Sequence, residues 1–192
     1  MCVKIMRRKN LRNIVQFSGG KDSTCMLLMM LEKGMQVDEI IFCDTGKEFP
    51  QMYEHIIQVG LYVREKYGKE ITILKPEKGF DYWFSEHVKT RGKRKGEKGY
   101  GWATMRIRWC TKALKVNINN KYLKQSKEPY MLYIGIAADE PKRHENKPDN
   151  VIHPLYDWGI TEAQALQYCY ERGFRWGGYT NTLIEYLVGV VL

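Results

Sequence analysis

Ile14-Val15-Gln16-Phe17-Ser18-Gly19-Gly20-Lys21-Asp22-Ser23-Thr24 is the stretch on which the fold turns. The apolar run that ends at Phe17 predicts a strand. Cys25-Met26-Leu27-Leu28-Met29-Met30-Leu31 predicts the helix after it. Glycines at a strand-to-helix turn let backbone N–H groups face an anion. The helix N-terminus adds partial positive charge, and Lys21 adds a full one. Ser18, Gly19, Gly20, Lys21, Asp22 and Ser23 therefore read as a phosphate cradle, with a plain glycine turn and a surface lysine as the structural alternative. The stretch is not G-x-x-x-x-G-K-[ST], and a single Gly-Gly pair is not the dinucleotide fingerprint.

Outward from this turn, strands and helices alternate. Strands are predicted over 11–17, 37–43, 70–74 and 130–136, with a short extended piece at 150–154. Helices are predicted over 23–33, 50–67 and 111–123. Another opens at Thr161, a plausible N-cap with Gln164 at the capping-box position, and ends before Gly173. Residues 80–108 are the least regular part, rich in Gly, Lys, Arg and Trp. The order predicts an α/β fold, a parallel sheet of about five strands flanked by helices with an irregular basic insertion. Ligands in such folds bind beyond the carboxyl ends of strands, where segments 18–23, 44–48 and 137–143 fall.

The chain has 192 residues with 44% hydrophobic residues, enough for one α/β domain. No apolar run reaches the length of a membrane span, and the basic start is not followed by a signal-peptide core. The expectation is a soluble, cytoplasmic protein. Cys2, Cys25, Cys43, Cys110 and Cys169 are scattered without a C-x-x-C pair, which argues against a disulfide framework. Cys25, Cys43 and Cys169 read as buried small hydrophobes. The formal charge is +9, much of it in Lys89-Thr90-Arg91-Gly92-Lys93-Arg94-Lys95-Gly96-Glu97-Lys98. Such an excess favours polyanions, whereas a solvated loop is the plain alternative. The nearby rings of Tyr82, Trp83, Tyr100, Trp102 and Trp109 could stack on bases, but a small core under the loop is the favoured reading.

Two further motifs make the first one specific. One is Asp44-Thr45-Gly46-Lys47-Glu48-Phe49-Pro50 after the second strand; the other is Arg108-Trp109-Cys110-Thr111-Lys112-Ala113-Leu114-Lys115-Val116. With Ser-Gly-Gly-Lys-Asp-Ser they resemble the phosphoadenosine phosphosulfate (PAPS) reductase family, within the PP-loop adenine-nucleotide α-hydrolase superfamily. The resemblance runs from about residue 11 to about residue 178, and it implies a Rossmann-like (HUP-type) sheet. It also implies that residues 18–23 hold phosphate or sulfate oxygens, that Asp44 and Thr45 line the nucleoside side, and that Gly135 admits the nucleotide. Arg143 would neutralise phosphate charge. Family members often carry Arg where this chain has Ala137. Lys21, Asp22 and Cys110 are the candidate catalytic residues. ATP or PAPS/APS is the implied ligand, with Mg²⁺ at Asp44 or Asp22.

Three departures matter. PAPS reductases carry a redox cysteine in a Glu-Cys-Gly-type tail, and here the last cysteine is Cys169, inside a predicted helix. True PAPS reduction is therefore not expected. Relatives that bind an iron–sulfur cluster or zinc pair a cysteine near Cys110 with others near the C-terminus, which would leave Cys110 an orphan ligand. As a lone thiol beside Arg106, Arg108 and Lys112 it could instead have a lowered pKa. The apolar tail, residues 179–192, departs from the family. Its codons read one nucleotide earlier can spell Leu-Tyr-Glu-His-Phe-Asp-Arg-Val-Ser-Cys-Trp-Cys-Cys-Pro, which resembles the family ending. The expectation is a frameshifted tail that has lost a cysteine cluster; it could also pack on the sheet or on a second copy of the chain.

Three functions follow. The chain binds ATP or an adenylyl sulfate and cleaves the α–β phosphate bond, adenylating a substrate or moving sulfur. Alternatively it serves nucleic-acid sulfur modification or phage DNA processing, with DNA or tRNA as partner. The third is a nucleotide-binding but catalytically impaired chain.

Overall fold

A computed structural model describes residues 11–104, 107–126, 128–145 and 147–176. Strand β1 (Arg12–Gln16) is followed by helix α1 (Lys21–Glu32), β2 (Glu39–Cys43), α2 (Pro50–Tyr67) and β3 (Ile71–Leu74). After the insertion come α3 (Asn117–Gln125), β4 (Tyr130–Ile134), α4 (Pro141–His144), β5 (Val151–Ile152), α5 (Pro154–Asp157) and α6 (Glu162–Glu171).

The five strands form one sheet in the order β3-β2-β1-β4-β5, every pair parallel. Val15 lies between Ile40 of β2 and Tyr133 of β4. Successive strand residues face opposite sides, so a strand covered on both faces needs a continuous apolar run. The sequence supplies one in Ile14-Val15 and in Ile40-Ile41-Phe42. Val15, Phe17, Ile40 and Phe42 face α1, α2 and α6 through Leu27, Ile56, Val59 and Leu166. Ile14, Ile41, Cys43 and Leu74 face α3 through Leu123. Chain order runs outward from β1 to β2 and β3, then crosses to β4 on the other side. β1 therefore sits at the topological switch, where a crevice opens beyond the carboxyl ends.

Helix α2 has the predicted bounds, and Gly68 (φ +64°) ends it. Helix α1 starts two residues earlier than predicted. Gly20 takes an extended N-cap conformation and its carbonyl accepts from Thr24 N–H at 3.0 Å, so Lys21 is already helical. The helix predicted over 111–123 is two pieces, a wide π-helical turn (Thr111–Val116) and then α3. The one-turn helices α4 and α5 were not predicted, although each starts with a proline, a residue suited to a first helical position. Among the described residues no helix is long and apolar enough to cross a membrane. The tail over 179–192 lies outside the described residues.

Candidate active site

The glycine turn falls at the carboxyl end of β1, as its sequence requires. Gly19 has φ +82°, a conformation that glycine adopts at little cost. Ser18 N–H donates to Ser23 Oγ at 3.1 Å, and the two hydroxyl oxygens lie 3.0 Å apart. The loop is thus laced to the first turn of α1. In that turn the N–H groups of Lys21, Asp22 and Ser23 have no carbonyl behind them in the helix. Gly135, just past β4, packs directly on the same turn. A Cβ there would lie 2.8 Å from Ser23 N and 2.9 Å from the Asp22 carbonyl carbon.

Lys21 is 8% exposed. Its Nζ donates to Glu162 Oε2 at 2.9 Å and to Asp22 Oδ2 at 3.3 Å. Burial pulls the Lys21 pKa down, but Asp22 and Glu162 outweigh it and hold it above the usual lysine value. Burial pushes the Asp22 carboxyl up to about 6, against the pull of Lys21, and Glu162 adds to the rise. Asp22 Oδ1 is buried with no partner. Glu162 is a site residue that the sequence reading missed: it stands 141 residues from Lys21, and only the fold joins them. Its own N–H donates to Asp139 Oδ1 at 3.0 Å, which ties the segment after β4 to the start of α6. That start carries the predicted capping box, with Thr161 and Gln164 bonded in both directions. Arg143 lies on α4 and pairs with Glu140 at 2.6 Å.

The second and third motifs meet on the other flank of β1. Asp44 follows β2, and its Oδ1 accepts from Gly46 N–H at 2.9 Å and from the Tyr53 hydroxyl at 2.7 Å. Burial, then Asp44 itself, pushes the Tyr53 phenol up to about 12, so it remains a donor. Lys75 lies 3.7 Å from Asp44 Oδ2. Asp44 therefore shapes its own turn. Thr45 Oγ1 donates to Glu48 at 3.0 Å, and Glu48 forms a buried pair with Lys115 at 3.3 Å. The π-helical turn thus delivers the third motif's lysine to the second motif.

Cys110 lines a cavity of about 140 Å³ with Thr45, Lys47, Phe80, Trp102 and Lys115. The aromatics around it form the small core favoured from the sequence: Phe80, Trp83 and Tyr100 pack on Trp109, Cys110 and Leu114. Tyr82 and Trp102 lie outside this core, and Trp102 is 75% exposed. The basic run folds as a hairpin-like loop, bridged between Val88 and Lys98. Lys89 is buried against Glu97, while Arg91, Lys93, Arg94, Lys95 and Lys98 are exposed. Among the described residues no three His, Cys, Asp or Glu side chains converge as a metal site, and Cys25, Cys43, Cys110 and Cys169 are free and buried. Arg106, expected beside Cys110, lies outside the described residues.

Comparison with known proteins agrees with this architecture. The model of the phosphoadenosine phosphosulfate reductase domain matches residues 12–173. The uncharacterized nin region protein ORF290 of Escherichia phage lambda is 31% identical over 153 residues, 71% of this chain and 51% of the relative. The uncharacterized protein MJ0066 of Methanocaldococcus jannaschii is 28% identical over 182 residues, 84% of this chain and 34% of the relative. The chain thus spans about half and about a third of the lengths of these relatives. Among solved structures, the U34-tRNA thiolase NcsA from Methanococcus maripaludis, with its [4Fe-4S] cluster, has a similar fold. Its TM-score is 0.53 at 18% identity, over 96% of this chain and 65% of that one.

Proposed function

The chain belongs to the phosphoadenosine phosphosulfate reductase family, and from that premise we propose that it binds ATP or an adenylyl sulfate at the Ser18–Ser23 loop and cleaves it between the α and β phosphates. The product would be an adenylated acceptor or a transferred sulfur group. One observation carries this reading: the glycine turn, the first-turn N–H groups of α1 and Lys21 stand together at the carboxyl end of β1, the switch strand. Negative charge that builds on the α-phosphate and the departing pyrophosphate is offset there by backbone donors and one ammonium. In the free chain Glu162 and Asp22 occupy Lys21, and an incoming phosphate competes with them. Gly135 lets β4 pack directly on the first turn of α1, which seats the N–H groups of that turn beside the loop. Thr45 and Cys110 border the adjoining cavity, where the acceptor or the sulfur-bearing group fits. Arg143, paired with Glu140, would neutralise phosphate charge, and Asp44, bonded to Tyr53, would line the nucleoside side.

A Mg²⁺ ion fits beside Asp22, whose Oδ1 is buried and unpaired, and when bound it neutralises phosphate charge. Cys110 borders the cavity as a buried free thiol, where it would meet the acceptor or the sulfur-bearing group. The phage and nucleic-acid reading keeps support from one feature, the exposed Trp102 beside an exposed basic hairpin, which suits a single-stranded DNA or tRNA segment.

The test is product analysis with ATP and Mg²⁺. AMP and pyrophosphate, not ADP and phosphate, are expected, with turnover raised by the nucleic-acid acceptor if the second feature belongs to the same reaction. Lys21→Ala removes a charge-assisted contact worth about 1.5–3 kcal/mol, a loss of roughly 10- to 100-fold in ATP affinity. An unchanged dissociation constant in that variant overturns the assignment.

A further inference from the structure

Beneath the glycine turn lies a chain of contacts that the catalytic reading does not use. His55 of α2 is 1% exposed. Its Nε2 lies 3.0 Å from Thr24 Oγ1, and Thr24 Oγ1 lies 2.9 Å from the Gly20 carbonyl oxygen. Its Nδ1 is buried with no partner. On the other side of the ring stands Trp176, with centroids 4.2 Å apart, and Phe174 meets the ring edge-on at 5.8 Å. The Trp176 indole N–H donates to the Gly19 carbonyl at 2.9 Å. Both carbonyls of the Gly-Gly pair are therefore held from the protein side, that of Gly20 by Thr24 N–H and Ser23 Oγ as well.

The direction of these bonds can be assigned. Thr24 has one hydroxyl proton. If it goes to Gly20, His55 donates through Nε2–H, and the unpaired Nδ1 is a bare acceptor. If it goes to His55, the imidazole proton sits on Nδ1 as a buried donor without an acceptor. Orphaned buried N–H groups are rarer than under-used acceptors, so the first arrangement holds. Burial agrees with a neutral ring, since it lowers the His55 pKa to about 3.

A trans peptide points its C=O and its N–H in opposite directions. Holding the Gly19 carbonyl inward turns Gly20 N–H outward, and holding the Gly20 carbonyl inward does the same for Lys21 N–H. Gly20 N–H meets only Ser18 Oγ in the free loop, at a long 3.4 Å. We infer that Trp176, His55 and Thr24 are positioning residues that fix the two glycine peptides so that the N–H groups of Gly20 and Lys21 face a bound oxyanion. The network also explains how a segment 157 residues beyond Gly19 becomes part of the cradle without touching the ligand. This inference rests on the reading of the loop as a phosphate site.

The experiment titrates inorganic pyrophosphate and ATP into the full chain and into Trp176→Phe, Thr24→Val and Thr24→Ser, with backbone and imidazole ¹⁵N spectra of the free proteins. Trp176→Phe keeps an aromatic ring on His55 and removes one donor. It is expected to weaken pyrophosphate binding roughly tenfold and to move the Gly20 and Lys21 amide signals. Thr24→Val leaves Thr24 N–H and Ser23 Oγ on the Gly20 carbonyl, so it should weaken binding less than Trp176→Phe while moving the Lys21 amide signal, and Thr24→Ser should restore wild-type values, which a loss of packing alone does not produce. The His55 ring should carry its proton on Nε2. Wild-type affinity and unmoved amide signals in Trp176→Phe, or a proton on Nδ1, overturn the proposal. If the wild-type chain binds neither probe, the phosphate reading falls, and the amide and imidazole signals decide the network on their own. If Trp176→Phe does not fold, the Thr24 pair and the imidazole proton decide it.

Discussion

Gly135 shows how far a single position can control the site. An added Cβ meets Ser23 N at 2.8 Å and the Asp22 carbonyl carbon at 2.9 Å, both backbone atoms that cannot swing away. Gly135→Ala should cost about 1–3 kcal/mol of stability and loosen the first turn of α1. Denaturant unfolding and an ATP titration check it, and a variant as stable and as tight as wild type would show that the turn yields. Asp22 offers a second test. Its carboxyl is lifted to about 6 by burial, so a polyanion that lands beside it lifts it further. Without divalent cations, pyrophosphate binding near pH 6.5 should take up a fraction of a proton, read from calorimetry in buffers of different ionisation heat. Pyrophosphate titrates in the same range, so Asp22→Asn should lower the uptake by the Asp22 share and leave the ligand's own share in place. At this scale the sequence reveals what is local. The Ser-Gly-Gly-Lys-Asp-Ser turn, the Thr161–Gln164 cap and Gly173 all declare themselves within a few residues. Glu162, His55 and Trp176 do not, because each acts on a partner that only the fold brings near. Asp44 carries the opposite lesson: a carboxylate at a strand tip looks like a ligand, yet its Oδ1 is committed to Gly46 and Tyr53.

Among the elements, the central strands and α2 follow their patterns, since continuous apolar runs and a 3.6-residue period leave few alternatives. The insertion between β3 and α3 does not. Its order comes from rings that meet one another, with Phe80 on Trp109 at 5.0 Å and His87 on Tyr100 at 5.0 Å, and no period announces such contacts. The sequence reading placed its aromatics in a small core, and Trp102 alone among Trp83, Tyr100, Trp102 and Trp109 is strongly exposed. If this element meets nucleic acid, Trp102→Ala should weaken single-stranded RNA or DNA binding by about 1–3 kcal/mol, the range for one stacked base, while leaving ATP affinity unchanged. Fluorescence anisotropy with a labelled oligonucleotide tests it, and equal binding by the variant removes Trp102 from any such surface.

For the whole molecule, stability against pH carries the clearest signature. His55 is held at about 3, below its unfolded value of about 6.5. As pH falls below 6.5 the unfolded chain takes a proton that the native chain refuses, so stability drops by roughly 1.4 kcal/mol per pH unit from this group. Asp22 acts with the opposite sign. Its raised value means that between about pH 4 and 6 the native chain holds a proton that the unfolded chain has released, so its contribution falls as pH rises. Asp22→Asn should therefore steepen the acid loss of stability relative to wild type, measured as urea midpoints at pH 6, 5 and 4; parallel curves would refute it. The insertion's ring cluster stands apart from the two apolar layers that face the sheet. A module seated mainly on itself can breathe while the sheet stays shut. Cys110 belongs to that module, whereas Cys25, Cys43 and Cys169 belong to the layers. Under native conditions an alkylating reagent would thus find Cys110 well before those three, and the clock of its labelling would time the opening of the wall of its cavity.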